Sequence, residues 1–214
     1  MDSGPHVQRV FSIEYRFATS DPFPSQLIDA LSGYEYLVNE VGFSPSNIIL
    51  LGDSAGGNLA LALTRYFVEN APEKVPGGMI LLSPWSDLSA KAQDTDSMHF
   101  TSDYIYRQYP NASQFLTAPF GLGLADNSRW ISPGLEDGTW NFAGFPKTLI
   151  LGGGAEIFRD QIRGLKRKME KDLGSDNVQY LEIADAVHDW IVLPLFEAET
   201  QQGLEVVAKW LRDL

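Results

Sequence analysis

Cysteine is absent from this chain of 214 residues, and histidine occurs only three times. The absence of cysteine excludes disulfide bonds, catalysis by a thiolate and zinc sites with thiolate ligands. Because histidine is so scarce, a catalytic base of this type must be His6, His99 or His188. The shortage of these two residue types therefore restricts the chemistry that the chain can perform.

Long apolar runs and runs of like charge are also missing. No stretch approaches the roughly 18 apolar residues of a membrane-spanning helix, so no membrane segment is expected. Residues 1–6 have neither the basic nor the apolar region of a signal peptide, which predicts a soluble, cytoplasmic chain as written. The net charge of −12 is diffuse and makes nucleic acid and anionic membranes poor partners.

Segments typical of strands and of helices alternate along the chain. Apolar, β-rich runs predict strands at 7–15, 47–51, 79–82, 148–151 and 178–183. Helical patterns occur at 27–41, 58–63, 162–173 and 204–214. We therefore expect one α/β domain over 1–214, with a mostly parallel sheet flanked by helices. The weakly periodic region 86–145 is predicted to be an excursion over one face of the sheet, with short helices at 102–109 and 112–116.

The clearest motif surrounds Ser54. Residues 52–56 read Gly-Asp-Ser-Ala-Gly and match G-x-S-x-G, the nucleophile elbow, in which a serine occupies a sharp turn between a strand and a helix. A predicted strand precedes the motif and strong helix formers follow it. A Cβ at either Gly52 or Gly56 is expected to crowd this strained backbone. The pattern indicates a nucleophilic serine, the alternative being a serine in a purely structural glycine-rich turn.

A serine hydroxyl is a poor nucleophile at neutral pH and needs a base, most often a histidine, to remove its proton. His188 follows the predicted strand 178–183, and open α/β sheets place their sites at the carboxyl ends of strands. His6 precedes the first predicted strand, and His99 lies in the weakly periodic region. His188 is therefore the predicted base.

The acid that orients the base should follow another strand and come between the nucleophile and the base in the chain. Glu156 and Asp160 both lie just beyond the predicted strand 148–151. Asp160 should already be in a helix, where it can complement the helix dipole. Asp185 and Asp189 flank the base and are expected to be solvated loop residues. Glu156 is therefore the predicted acid.

These segments resemble the hormone-sensitive-lipase-like esterases of the α/β-hydrolase superfamily. Residues 52–60 are similar to the elbow of that family, and further similar blocks lie at 12–18, 22–24, 82–88, 131–133 and 153–161. In the last block the family's catalytic acid is usually Asp, and Glu156 occupies its position. The resemblance covers nearly all of the chain from about residue 10 onward and implies an α/β-hydrolase fold.

The resemblance also implies a serine hydrolase of small-molecule carboxylic esters with short to medium acyl chains. Ser54 would form the acyl-enzyme, His188 would transfer protons, and Glu156 would orient His188. The backbone N–H of Ala55 would stabilise the oxyanion. Neither a metal ion nor an organic cofactor is expected.

Aromatic residues could give such an enzyme an apolar substrate pocket. The candidates are Trp85 and Trp190, with Phe100, Phe115 and Phe120 as further contributors. Aromatic side chains in this kind of segment belong to the core more often than they contact a substrate, so both interpretations remain open.

The family's His-Gly-Gly-Gly loop does not precede the first predicted strand. That loop supplies most of the oxyanion hole, so Ala55 is the one donor left. The strand before the loop would lie between 7–15 and 47–51, and without it these two strands either keep unpaired edges or pair directly. We therefore expect an N-terminally truncated member of the family. The alternative is a catalytically impaired or dead hydrolase fold that acts as a binding or interaction module.

Overall fold

The computed structural model of the protein describes residues 9–105 and 122–214. Several predicted features lie outside the described residues: His6, the start of the predicted strand 7–15, the end of the predicted helix 102–109, the predicted helix 112–116, Phe115 and Phe120.

The described strands form a parallel sheet. They are β1 (Ile49–Asp53), β2 (Gly78–Leu82), β3 (Thr148–Gly153) and β4 (Val178–Ile183), in the spatial order β1-β2-β3-β4. Each strand pairs in parallel with the next. The central strands β2 and β3 are buried along their whole length, as parallel strands covered on both faces should be. The predicted parallel α/β architecture is confirmed.

Helices cover both faces of this sheet. The described α-helices are α1 (Ser25–Asn39), α2 (Ser54–Asn70), α3 (Arg159–Leu173) and α4 (Glu197–Arg212). Alternate residues of a strand point to opposite faces, so Met79 and Leu81 of β2 pack with α2 and α3. Ile80 and Leu82 pack on the other face, in a cluster that includes Trp210 of α4. In the described part of the chain, no helix is long and apolar enough to cross a membrane.

The first predicted strand, 7–15, is wrong for the residues that the structure describes. Residues 9–16 have no regular secondary structure and run along α1, where Phe11 stacks on Tyr36 with ring centroids 5.9 Å apart. A β-rich sequence forms a strand only where a neighbouring edge accepts its backbone hydrogen bonds, and no described strand does so here. β1 is accordingly an edge strand of the described sheet, with Leu51 61% exposed.

The described parts of region 86–145 contain short 3₁₀ segments rather than α-helices. These lie at Ala90–Asp94, Asp96–His99 and Leu122–Asn127. Residues 102–105 form turns, so the beginning of the predicted helix 102–109 is wrong. The interpretation of 86–145 as an excursion within one domain stays a prediction.

Gly52 and Gly56, at the turn between β1 and α2, differ in the space that the structure leaves for a Cβ. A Cβ at Gly52 would lie 2.2 Å from the carbonyl oxygen of Gly56, far inside van der Waals contact. A Cβ at Gly56 would meet nothing closer than Asp53 Oδ1 at 3.8 Å, which is an ordinary contact. The expected crowding is therefore present at Gly52, and the expectation for Gly56 is wrong because the side of Gly56 where a Cβ would sit is open.

Leu149→Ala should lower the free energy of unfolding by about 2–5 kcal/mol, because it leaves a cavity in the fully buried strand β3. Leu195→Ala removes the same atoms from a side chain that is 88% exposed, so its effect should stay within about 0.5 kcal/mol. Urea unfolding followed by tryptophan fluorescence measures both. Equal losses in the two variants would contradict this assignment of the core.

Gly52→Ala and Gly56→Ala provide a matched test of the turn. Gly52→Ala should lower the free energy of unfolding by about 1–3 kcal/mol, because its Cβ collides with backbone. Gly56→Ala places its Cβ in open space within the first turn of α2 and should raise the free energy of unfolding by about 0.4–1 kcal/mol. Thermal unfolding of both variants checks this, and a neutral Gly52→Ala would show that the turn is less constrained than its geometry indicates.

Candidate active site

The carboxyl ends of the four parallel strands bring together the polar residues of a candidate site. Ser54 directly follows β1, and Ser83 directly follows β2. Glu156 lies three residues past β3, and His188 lies five residues past β4. Since parallel strands end at the same edge of a sheet, these residues converge there. The loops are also joined directly, since the Trp85 N–H donates to the Ser54 carbonyl oxygen at 3.0 Å.

Ser54 begins α2 with a strained backbone. Its φ is 49°, in the left-handed region, which costs a non-glycine residue on the order of 1–3 kcal/mol. Ala55 is exposed in the first turn of α2, where backbone N–H groups have no acceptor within the helix and carry the positive end of its dipole. A serine hydroxyl and an N–H donor for a developing anion are thus adjacent at the start of the helix.

Glu156 is fully buried and held on one side. Its Oε2 accepts hydrogen bonds from Ser83 Oγ at 2.6 Å and from the Gly153 N–H at 3.0 Å. Its Oε1 is buried without a hydrogen-bond partner among the described residues. Burial raises the pKa of Glu156 to about 8, against the opposing effects of His188, Ser83 and Gly153. One oxygen is therefore fixed, and the other can accept a hydrogen bond from an imidazole.

His188 is buried among carboxylates. Its Nε2 lies 3.1 Å from Asp189 Oδ2, and its ring is perpendicular to that of Phe158, with centroids 5.0 Å apart. Burial acts to lower the pKa of His188, but the carboxylates of Asp189, Glu156 and Asp103 outweigh burial and raise the pKa above its ordinary value. The site therefore favours the imidazolium form of His188.

The predicted acid and base are neighbours, yet each keeps an unpaired atom. His188 Nδ1, like Glu156 Oε1, is buried and finds no hydrogen-bond partner within the described part of the chain. The two residues influence each other's pKa, so their charges lie close together. His188 is paired through Nε2 with Asp189 rather than with Ser54. The structure thus places the three predicted residues at one edge without a continuous Ser-His-Glu chain of hydrogen bonds.

Asp185 and Asp189 were both expected to be solvated, but only Asp185 is exposed. Asp185 is exposed, as a solvated loop residue should be. Asp189 is buried because its N–H donates to Ser83 Oγ at 3.0 Å and its φ of 51° turns the residue into the site. The expectation that Asp189 is solvated is therefore wrong. No sequence pattern separates these two aspartates, which stand in the same loop; the positive φ of Asp189 and its bond to Ser83 do so in the structure.

Two residues of region 86–145 reach the site and were missed from the sequence. Asp103 is fully buried and accepts a hydrogen bond from the Ile157 N–H at 2.8 Å. The ring of Tyr104 lies 6.2 Å from that of His188, and burial together with nearby carboxylates, Asp53 among them, raises the pKa of Tyr104. No motif or periodicity marks these residues. Across 9–105 and 122–214, no three acidic or histidine side chains are arranged to hold a metal ion.

Of the aromatic residues that were candidates for a substrate pocket, Trp85 lies near the site and Trp190 lies in the core. Trp85 is buried and stacks on Phe158 with ring centroids 5.8 Å apart, and Phe158 in turn contacts the imidazole of the base. Trp190 is buried in the core against α4, where a Cβ at Gly203 would come within 2.7 Å of its ring. Phe100 is partly buried against the main core cluster. A substrate-contacting role for Trp85 and Trp190 stays a prediction.

Comparison with known proteins places the chain in a family. Residues 7–192 match the family of the alpha/beta hydrolase fold. The chain is 30% identical to an esterase of Acinetobacter venetianus, over 96% of this chain and 65% of that protein. It is 28% identical to an acetyl-hydrolase of Streptomyces hygroscopicus, over 95% of this chain and 64% of that protein. The chain therefore spans slightly less than two thirds of the length of these relatives.

Solved structures show the same relationship. An esterase from the bacterial hormone-sensitive lipase family superposes with a TM-score of 0.75 at 26% identity, covering 94% of this chain and 64% of that one. An esterase/lipase from an uncultured bacterium gives a TM-score of 0.73 at 26% identity, with coverages of 93% and 63%. The resemblance read from the sequence motifs is confirmed. The chain belongs to the alpha/beta hydrolase fold family, in which it is similar to the hormone-sensitive-lipase-like esterases.

Proposed function

We propose that this protein hydrolyses carboxylic esters of small molecules, with Ser54 as nucleophile, His188 as proton-transfer group and Glu156 as the acid that orients His188. The observation that carries the proposal is the strained Ser54 at the N-terminus of α2, at the same sheet edge as the buried Glu156 and His188. The esterase and acetyl-hydrolase names of its relatives support this reaction class.

The reaction follows from these positions. Ser54 Oγ attacks the acyl carbon while His188 accepts the hydroxyl proton, and the Ala55 N–H donates to the oxyanion that forms. The tetrahedral intermediate then collapses, the alcohol leaves with the proton held by His188, and the acyl group stays on Ser54. A water molecule deprotonated by His188 attacks the acyl carbon, and the bond between that carbon and Ser54 Oγ then breaks as His188 returns the proton to Oγ, which releases the carboxylic acid and regenerates Ser54. We propose esters with short to medium acyl chains as substrates.

His188 must turn before this chemistry can begin, because its Nε2 is paired with Asp189. The bond to a charged carboxylate contributes about 1.5–3 kcal/mol, whereas the unpaired His188 Nδ1 and Glu156 Oε1 each cost about 1–3 kcal/mol. Turning the ring to join these two atoms would remove both costs, but it would break the bond to Asp189 and leave Asp189 Oδ2 unpaired beside Oδ1, which already lacks a partner among the described residues. Opposing contributions of similar size therefore separate the two arrangements. A substrate that interacts with the turned ring can therefore shift the population toward it.

A fluorophosphonate probe tests the nucleophile. It should form one adduct on Ser54, mapped by mass spectrometry, because the elbow presents an activated hydroxyl beside an oxyanion donor. Ser54→Ala should abolish the adduct, and His188→Ala should slow labelling by about 10³-fold or more. Ser44→Ala, at a serine with no role in the site, should label at the wild-type rate. A folded wild-type chain without an adduct would contradict the proposal and favour a catalytically impaired hydrolase fold.

Glu156→Gln and Asp189→Asn decide which carboxylate orients the base. Glu156→Gln should slow labelling by roughly 10⁴-fold at high pH, where Glu156 is ionised, the scale of loss when an amide replaces the acid of a serine triad. Asp189→Asn should keep labelling fast at high pH. Because Asp189 raises the pKa of His188, its loss lowers that pKa and moves the acid limb of the profile of labelling rate against pH to lower pH.

The opposite pattern of labelling rates would contradict the role assigned to Glu156. If Asp189→Asn nearly abolishes labelling while Glu156→Gln leaves it within a few-fold of wild type, Asp189 is the orienting acid and the role assigned to Glu156 is wrong. Circular dichroism of both variants confirms that each is folded before the rates are compared.

A further inference from the structure

The hydroxyl of Ser83 connects the acid to the loop that carries the base. Ser83 Oγ donates a hydrogen bond to Glu156 Oε2 at 2.6 Å and accepts one from the Asp189 N–H at 3.0 Å. The side chain is buried, so water does not compete for either bond. A single atom therefore fixes one oxygen of Glu156 and the backbone directly after His188.

The backbone of Ser83 is fixed equally firmly. Its φ is 41°, in the left-handed region, and its N–H donates to the Leu151 carbonyl oxygen of β3 at 2.8 Å. Two residues later, the Trp85 N–H donates to the Ser54 carbonyl oxygen at 3.0 Å. The short segment after β2 thus contacts the nucleophile turn, the acid and the loop of the base.

We propose that Ser83 is a positioning residue whose hydroxyl fixes the positions of Glu156 and His188 relative to each other. This inference rests on the proposed function. A hydroxyl suits this place because it donates and accepts at the same atom, which neither a methyl group nor a carboxylate can do. Its donated bond stabilises the charged form of Glu156. Its accepted bond satisfies a backbone N–H that is otherwise buried without an acceptor.

Loss of this hydroxyl should change how His188 titrates. The groups that face His188 are Asp189 on its own loop, Glu156 after β3, and Asp103 and Tyr104 from region 86–145. The hydroxyl of Ser83 lowers the pKa of Glu156, so without it Glu156 stays protonated to higher pH.

The same reasoning gives the sign of the effect on the base. Glu156 is faced by Asp103, and its charge also acts on Tyr104 and on Tyr180 of β4. Once Glu156 is neutral over more of the pH range, His188 loses part of the negative charge that raises its pKa. The pKa of His188 should therefore fall when the hydroxyl is removed.

The test uses Ser83→Ala and Ser83→Gly, with Thr64→Val as a matched control. Both Ser83 variants delete the hydroxyl, and glycine also relieves the left-handed strain. Thr64→Val deletes a buried hydroxyl that bonds the Ala60 carbonyl oxygen within α2, outside the site. Imidazole ¹⁵N NMR gives the pKa of His188 without turnover, and comparison with His188→Ala assigns its signals. The rate of fluorophosphonate labelling is measured in parallel.

Both Ser83 variants should lower the pKa of His188 and slow labelling by about 10- to 100-fold, the range for loss of a supporting bond rather than a reacting group. Thr64→Val should leave both readouts at wild-type values. An unchanged pKa of His188 in folded Ser83→Ala and Ser83→Gly overturns the proposal, even if Ser83→Ala is destabilised. If the wild-type chain is not labelled, the proposed function fails, and the titration still decides whether Ser83 couples Glu156 to His188.

Discussion

Ser54, Ser83, Glu156 and His188 come together because β1, β2, β3 and β4 run in the same direction and end at one edge of the sheet. The backbone groups beyond those ends lack partners in the sheet, so the loops satisfy them with side chains and with one another. The Ser83 hydroxyl does this for the Asp189 N–H, and Glu156 does it for the Gly153 N–H. The hydrogen bonds made just beyond the strand ends are therefore also the bonds that fix Glu156 and the loop of His188.

Charge is the second organising feature. Glu156, Asp103 and Asp189 are buried around His188, and their charges favour its imidazolium form against the opposing effect of burial. The same carboxylates compete for the ring, and in this structure Asp189 holds its Nε2. Under the proposed function, His188 therefore has to leave Asp189 before its ring can accept the proton of Ser54.

The sequence predicts those features that local pattern determines. The apolar runs of β2 and β3 identify buried parallel strands, and the elbow motif with its chain order leads to Ser54, Glu156 and His188. The predicted strand 7–15 fails because pairing depends on a neighbour that local propensity does not record. Asp103 and Asp189 escape sequence reasoning because their burial is set by single backbone bonds made by residues distant in the chain.

Backbone strain in the described residues is concentrated at the candidate site. Within residues 9–105 and 122–214, the non-glycine residues with positive φ are Ser54, Ser83 and Asp189, and all three belong to the candidate site. Each costs on the order of 1–3 kcal/mol, so together they consume a large fraction of the 5–15 kcal/mol that stabilises a typical domain. Ser83 bonds directly to Glu156 and to Asp189, and the Ser54 carbonyl oxygen accepts a bond from the Trp85 N–H, two residues after Ser83. Two serines and an aspartate thus stand where glycine would be relaxed, and the buried sheet behind them offsets the strain. Under the proposed function, the hydroxyl groups of Ser54 and Ser83 are the reason why glycine would not serve at those two positions.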